Sequence, residues 1–370
     1  MILFLQYSAG GMRGGERYTK SLHSFMKRKY KAVEPLEFQP RPADFRSIVR
    51  HSFASLKLVK AKKPSLLILD VSSGARNILA ARWAQRKGIR LLVIIQERRM
   101  SYRYNTILSK WLIRRLEDYL IGLADILLVN SRYIAKYAKE RAGKRANIII
   151  CYPGLEMTCG NQGPDNSSSR GAAGILNLLA VGECTEPRKG VKYLLMALNM
   201  LPDLNPLLHL AGEFSENNPH FHELKGIIDR YNLRDRVIFH GFLDRLKLSE
   251  LYRQADIFVL PSLSEGYGMA LAESLSFGLP IVASNVAAIP EMVEDGINAL
   301  LVRPKDPQAL ASAIRKLAED SALRNRMRQA NRARATTLPT WNDFDATLER
   351  ELVPVIEKLK SPEALSDPDS

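Results

Sequence analysis

Residues 261–273 read Pro261-Ser262-Leu263-Ser264-Glu265-Gly266-Tyr267-Gly268-Met269-Ala270-Leu271-Ala272-Glu273, directly after the apolar run Ile257–Leu260. On one continuous helix Glu265 and Glu273 would lie about 80° apart, at ~100° per residue. The glycines at 266 and 268 argue instead that Glu265 sits in a loop and Glu273 on the helix that follows. Backbone N–H groups near Gly268–Ala270 would then open toward an anion such as a diphosphate, with the helix dipole supporting negative charge. One carboxylate is placed to meet a sugar and the other to accept from a ribose diol. Two surface glutamates around a turn is the plainer reading. A strand, a glycine pair and a helix start in one run weigh against it.

Outward from this run the same alternation recurs. Strands are expected at Ile175–Val181, Leu207–Ala211, Val237–His240, Pro280–Ala283 and Ala299–Val302, with helices at Leu246–Gln254 and Pro307–Glu319. The amino-terminal half repeats the pattern with Ile2–Tyr7, Leu66–Val71, Leu91–Ile95, Ile126–Asn130 and Asn147–Cys151. Its helices are expected at Arg76–Arg86 and Ile107–Leu123, the latter burying Leu108, Trp111, Leu112, Leu116, Tyr119, Leu120 and Leu123. Strands alternating with helices predict α/β architecture with parallel sheets covered on both faces. Gly160–Gly174 breaks every period and reads as a linker or loop. Two domains follow, 1–165 and 166–337, with 338–370 as a further segment, and ligands belong at the carboxyl ends of the strands.

Composition narrows the partners. The 370 residues carry 54 Lys+Arg and 39 Asp+Glu, a net charge of +15, with 46% hydrophobic residues, as in a soluble globular protein. Residues 1–170 hold +20 of this charge and residues 171–370 hold −5. A basic half beside a mildly acidic one implies a negatively charged partner: nucleic acid, anionic membrane or anionic substrate. No apolar run approaches the ~20 residues of a membrane-spanning helix. Met1–Tyr7 lacks a basic n-region and a cleavage site, so no secretory signal is expected. Cys151, Cys159 and Cys184 have no zinc-ligand spacing and read as buried or incidental thiols in a reducing compartment. The six histidines lack metal spacing too, and His220 and His222 read as surface residues.

Two further loops carry chemistry. Ser8–Arg17 (SAGGMRGGER) follows the first strand, and its glycines allow close backbone approach; the spacing is not G-x-G-x-x-G, which excludes the nicotinamide reading. Val181–Gly190 (VGECTEPRKG) places Arg188 and Lys189 beside glycine at a strand end, suited to phosphate.

Taken together, the stretch from about Glu250 to Asp320, the pair Glu265-x7-Glu273 and the EPRKG run resemble the carboxyl-terminal domain of retaining nucleotide-sugar glycosyltransferases of glycosyltransferase family 4. The Gly14-Gly15 loop and Ala124–Ser131 (ADILLVNS) match looser amino-domain signatures of that family. The resemblance implies the GT-B fold, two facing Rossmann-like domains with a crossover helix after Trp341 that returns to the first. It implies a hexosyltransferase that moves a sugar from a UDP-sugar, or less expectedly a GDP-sugar, to a glycan or lipid-linked acceptor. Polysaccharide or glycolipid biosynthesis is the implied setting, with no metal and no cofactor. Glu265, Lys189 and Gln96 would serve at the reacting centre. Donor binding would fall to Gly14, Gly15, Arg188, Lys189, Gly212, Phe242, Leu243, Glu265, Gly266, Tyr267, Gly268, Met269, Ala270 and Glu273.

Two positions depart from the family pattern. Glu183 stands where an Arg commonly neutralises phosphate, and Gln96 and Glu97 stand nearest to the place of a donor-contacting His. Mechanistically, cleavage leaves charge on the diphosphate, which Lys189 and backbone N–H groups would stabilise, with front-face attack by the acceptor. An epimerase or phosphorylase of the same fold, or a weakly catalytic nucleotide- or glycan-binding relative, are the alternatives. Nucleic acid drops out for want of a reading motif. Basic clusters with aromatics at Phe25–Lys31, Lys57–Lys63 and Arg98–Arg115 suit an anionic leaflet, so the protein is expected in the cytoplasm, peripheral to the inner face of the cell membrane.

Overall fold

The computed structural model describes residues 1–7, 14–30, 33–38, 45–71, 74–97, 107–143, 146–155 and 174–360. Ser8–Arg13, Arg98–Arg103, Cys159 and most of Gly160–Gly174, all singled out in the sequence, lie outside them. The chain divides into two units, Met1–Gly154 with Pro339–Ser370, and Leu155–Leu338.

In the first unit the strands are β1 (Ile2–Tyr7), β2 (Val33–Phe38), β3 (Leu66–Asp70), β4 (Arg90–Ile95), β5 (Ile126–Val129) and β6 (Asn147–Ile150). They form one parallel sheet in the order β2-β1-β3-β4-β5-β6. Its helices are α1 (Gly14–Lys29), α2 (Phe45–Lys62), α3 (Gly74–Arg86), α4 (Ile107–Leu123) and α5 (Arg132–Lys139). Every residue of β3 and β5 is buried, which is why these strands read as unbroken apolar runs.

Among the elements not expected from the sequence are β2 and α2. β2 (VEPLEF) has no apolar run because Pro35 and two glutamates interrupt it, and it lies at the sheet edge, where proline is tolerated. α2 turns Ser52 and Ser55 to the interior; Ser55 Oγ donates to Asn77 Oδ1 at 2.7 Å, and Ser52 Oγ accepts from Leu79 N at 3.4 Å. Small polar residues on the buried face blur the helical period.

The expected stripe on α4 is rotated. Ile113, Glu117, Leu120 and Ile121 are buried, whereas Trp111 and Tyr119 are 54% and 42% exposed. The rule that assigns every large apolar residue to the core fails on this helix, because Trp111 and Tyr119 lie off its buried face.

The second unit contains β7 (Leu176–Val181), β8 (Pro206–Ala211), β9 (Val237–Gly241), β10 (Ile257–Leu260), β11 (Ile281–Ser284) and β12 (Leu300–Val302). The order is β12-β11-β10-β7-β8-β9, again parallel. Its helices are α6 (Val191–Leu198), α7 (Pro219–Arg230), α8 (Arg245–Gln254), α9 (Met269–Ser276), α10 (Ile289–Met292), α11 (Pro307–Glu319) and α12 (Ser321–Ala335). Asp244, Asp306 and Asp320 cap α8, α11 and α12 with their carboxylates. The strand order reverses between β7 and β10. In a sheet of this kind the crevice at the carboxyl ends of that pair is where ligands bind.

The chain leaves the first unit at Gly154, ahead of the Gly-Ser-Asn stretch rather than inside it. A Cβ on Gly154 would stand 2.3 Å from Trp341 N, so the outgoing and returning backbones touch there. Thr340 and Asp343 form a capping box that starts α13 (Trp341–Thr347), continued by a π-helical turn (Leu348–Leu352) and α14 (Val353–Lys360). Phe344, Leu348, Leu352 and Ile356 join the core of the first unit around Phe4, Tyr18 and Leu92. Arg28–Asp345 and Lys29–Glu349 ion pairs tie α1 to this returning segment.

Candidate functional site

At the β7–β10 reversal two loops meet. The first runs from Gly182 to Gly190 and ends in a 3₁₀ turn, Pro187–Lys189, with Gly190 left-handed (φ 68°) before α6. The second runs from Pro261 to Gly268 and ends at the start of α9. Leu263 N donates to Arg188 O at 2.6 Å, joining the loops by backbone. The small recess between them is lined by Gly182, Lys189, Val191, Val259 and Pro261 among others.

Glu265 sits in the second loop and not on the helix, as its glycine neighbours suggested. It is 5% exposed. Its Oε1 accepts from Lys189 Nζ at 2.7 Å and from Ser262 Oγ at 2.7 Å, and its Oε2 lies 3.7 Å from an Arg188 guanidinium nitrogen. Burial pushes this carboxyl up, but Lys189, Arg188 and the Ser262 hydroxyl outweigh it and hold it below the usual carboxylate range. Arg188 also reaches Ser264 O at 3.4 Å. The two cations of the basic run therefore share one buried carboxylate.

Glu273, one turn into α9, is also 5% exposed, and its Oε2 accepts from Tyr252 Oη at 2.9 Å. Tyr252 is stacked on Phe277, with ring centroids 5.0 Å apart, so the phenol is fixed where the carboxylate needs it. Gly268 is the N-cap of α9, with φ 100° and no side chain capping the first turn. The N–H groups of Met269 and Ala270 thus lead the helix at the same carboxyl-end crevice, with Gly266 and Tyr267 buried in the loop before them.

Gly212 follows β8 and Phe242-Leu243 follow β9, the next two strand ends along the sheet; the Phe242 ring is 58% exposed. A flat aromatic surface so exposed can stack on a planar ring. Glu183 follows Gly182, is half-buried, and accepts Glu186 N on its carbonyl in the turn before Pro187. It brings negative charge, not the positive charge of the family pattern, to the first loop.

Gly14, Gly15 and Gln96 belong to the other unit. Gly14 and Gly15 open α1, the helix that follows β1 in the chain. Gln96 follows β4; its amide nitrogen donates to Thr19 Oγ1 at 2.8 Å and to Asp70 Oδ2 at 2.9 Å, and its carbonyl accepts Asn130 Nδ2 at 2.8 Å. Both amide hydrogens are committed within the protein, which leaves the amide oxygen to meet a hydroxyl. Thr19 and Asp70, like Ser262 and Tyr252, are partners that sequence reading missed. Of these, Ser262 lay inside the glutamate-pair run and Tyr252 inside the longer Glu250–Asp320 stretch.

Cys151 and Cys184 are buried, and burial first of all pushes both thiols up to about 12. His222 is exposed, but His220 is not a surface residue: it is 8% exposed at the start of α7, with Nδ1 2.7 Å from Glu223 Oε2. Among the described residues no group of three or more His, Cys, Asp and Glu could hold a metal ion. No described helix is long and apolar enough to cross a membrane.

Residues 177–334 match the family model for glycosyl transferases group 1. The chain is 34% identical over 160 residues to a D-inositol 3-phosphate glycosyltransferase of Xylanimonas cellulosilytica, covering 43% of this chain and 38% of that protein. The chain thus spans well under half the length of that curated relative. Among solved structures, sucrose-phosphate synthase from Thermosynechococcus elongatus superimposes with a TM-score of 0.76 at 19% identity, covering 96% of this chain and 99% of the other. Anabaena HepE, in complex with UDP and glucose, does so with a TM-score of 0.72 at 19% identity, over 95% and 98%. At this identity the likeness is one of fold, and the fold is that of GT-B glycosyltransferases.

Proposed function

Residues 177–334 are a glycosyl transferases group 1 domain in a chain of GT-B fold, and from that premise we propose that the protein is a retaining hexosyltransferase using a nucleotide-diphosphate sugar. The observation that carries the reading is the pairing of Arg188 and Lys189 with Glu265 at the β7–β10 strand reversal, with Glu273 on the helix α9 that follows β10. There a diphosphate lies against Lys189 and the amide groups that open α9. The ribose diol donates to Glu273, whose second partner, Tyr252, keeps the carboxylate in place. The base stacks beside Phe242, near Gly212 and Leu243. UDP-sugars are proposed ahead of GDP-sugars, in line with the UDP complex of the HepE neighbour.

The reaction needs no protein nucleophile in this reading. As the bond from the anomeric carbon to the diphosphate breaks, negative charge grows on the leaving phosphate, and Lys189 with the α9 amides stabilises it. The acceptor hydroxyl attacks from the same face and passes its proton to the leaving phosphate, which retains configuration without a metal ion or cofactor. UDP release from a panel of UDP- and GDP-sugars, with mass spectrometry of the glycosylated product, tests this directly. Binding of UDP without turnover of any donor would instead favour a nucleotide-binding relative, a reading supported by the commitment of Lys189 to Glu265. Glu273→Gln, which keeps an acceptor for Tyr252 but removes the charge facing the ribose, lowers UDP affinity by about tenfold, one charge-assisted hydrogen bond. Calorimetry checks it, and unchanged affinity removes Glu273 from the donor site.

We further propose an acceptor that is a glycan or a lipid-linked glycan, met at the inner face of the cell membrane in polysaccharide or glycolipid biosynthesis. Support comes from the layer formed by α2, α3 and α4. These helices hold two acidic residues, Glu117 and Asp118, of which Glu117 is buried and Asp118 pairs with Arg141. Their exposed positions include Arg50, Lys57, Arg82, Arg86, Arg114 and Arg115. Phe53, 60% exposed, and Trp111 stand among them. Basic side chains contribute about 1 kcal/mol each near an anionic surface, and the aromatics bury in its interface. Liposomes containing anionic lipid therefore float the protein and neutral liposomes do not. Equal recovery with both, or binding insensitive to salt, counts against the membrane.

A further inference from the structure

Glu265 would be expected to touch the transferring sugar, and in the structure its carboxylate is already paired within the protein. Oε1 receives two donors, Lys189 and Ser262, Oε2 faces Arg188, and the residue is 5% exposed. Its backbone is held as well, since its carbonyl accepts Ala288 N at 3.3 Å and the neighbouring Leu263 N bonds Arg188 O. Lys189, by contrast, reaches Glu265 on a flexible four-carbon stem that passes over Gly182, where a Cβ would stand 3.1 Å from Lys189 Cε. Of the two partners, the lysine is the one built to move.

We infer that Glu265 is a positioning residue and an internal competitor: its carboxylate holds Lys189 at the strand reversal and is the anion that a donor diphosphate must displace from the Lys189 ammonium. This rests on the donor-site reading above and adds to it a direction of coupling. The carboxylate keeps the cation at the crevice, where a free lysine would sample many rotamers. It also weakens diphosphate binding, because an ammonium already paired with a buried carboxylate has less to gain from phosphate. The half-buried Glu183 in the same loop adds to the negative charge that the donor meets. After transfer the same competition favours release of the nucleoside diphosphate, as Lys189 returns to its internal partner.

The test uses UDP and UDP-glucose as probes and calorimetry as readout. In Glu265→Gln the amide oxygen still accepts from Ser262 and Lys189, so the hydrogen bonds stay while the competing charge goes. Affinity for UDP rises about tenfold, one charge-assisted hydrogen bond, and affinity for UDP-glucose rises by the same factor because the effect lies at the diphosphate. Unchanged or weaker UDP binding overturns the inference. So does a loss confined to UDP-glucose, which would mark Glu265 as a sugar contact. Where wild type and variant both bind neither probe, the donor-site reading falls and the inference with it.

A second measurement needs only the wild-type chain. UDP-glucose has no ionisation near neutrality, so its binding in buffers of different ionisation enthalpy reports protons taken up by the protein. A buried carboxylate that loses its cation gains proton affinity. Net proton uptake in mildly acidic buffer supports displacement, and binding with none overturns it.

Discussion

Lys189→Ala lowers sugar transfer by about a thousandfold and, separately, destabilises the unit of residues 155–338. The catalytic loss follows from removing one preorganised charge aimed at the leaving phosphate, which costs about 10²–10³ in turnover at comparable sites. The structural loss has another origin. Lys189 and Glu265 have side chains 16% and 6% exposed, and the variant leaves Glu265 with only Ser262 and an arginine nitrogen 3.7 Å away. Breaking a buried pair from one side costs about 3–5 kcal/mol, because the remaining charge is neither solvated nor neutralised. The double variant Lys189→Met with Glu265→Gln separates the two effects. It recovers most of the stability, since no unpaired charge remains, and none of the activity. Thermal unfolding and an assay of UDP release, run on the same preparations, check both halves. A double variant no more stable than Lys189→Ala would show that the pair is not what the unfolding measures.

The features of this site that can be read in the sequence are the ones a short stretch of chain makes alone. The run from Pro261 to Glu273 encodes its own loop and helix start, and Pro187 to Gly190 encodes its own turn, so both fall where expected at strand ends. Side-chain commitments between stretches leave no local trace. Lys189 and Glu265 meet across 76 residues of sequence, and Gln96 meets Thr19 across 77. Tyr252 reads as one more apolar residue of α8 until its hydroxyl is seen on Glu273. The same holds for the fold. Strands buried on both faces announce themselves by composition, whereas the edge strand β2, with Pro35 and two glutamates, and the serine-faced α2 do not. Trp111 shows the opposite error, in which a large apolar residue promises burial and stands in solvent. Hydrophobicity states what a side chain would gain from burial, and only the topology decides whether a surface is there to bury it.

Close approach of two backbones sets the largest expected effect on stability, Gly190→Ala. Gly190 ends the turn that carries Arg188 and Lys189 and is the N-cap of α6, with φ 68°. A Cβ placed on it would stand 2.0 Å from Pro261 O and 2.9 Å from the Pro261 carbonyl carbon. The atoms in the way are backbone, so no rotamer change relieves the clash. The left-handed φ adds strain of about 1 kcal/mol. The chain must pull the loop of Gly182–Gly190 away from Pro261, which breaks the Leu263–Arg188 backbone bond and draws Lys189 off Glu265. The expected loss is about 4 kcal/mol or more, or about 10 °C in the melting temperature of a unit this size. Nucleotide binding goes with it, because the two loops no longer meet. Gly226→Ala supplies the contrast, since this glycine lies exposed within α7 with nothing within 4 Å of the added Cβ. There alanine stabilises by about 0.5–1 kcal/mol through helix propensity. A Gly190→Ala protein that melts like wild type and still binds UDP would mean that the loops do not touch, and the shared carboxylate would lose its structural basis.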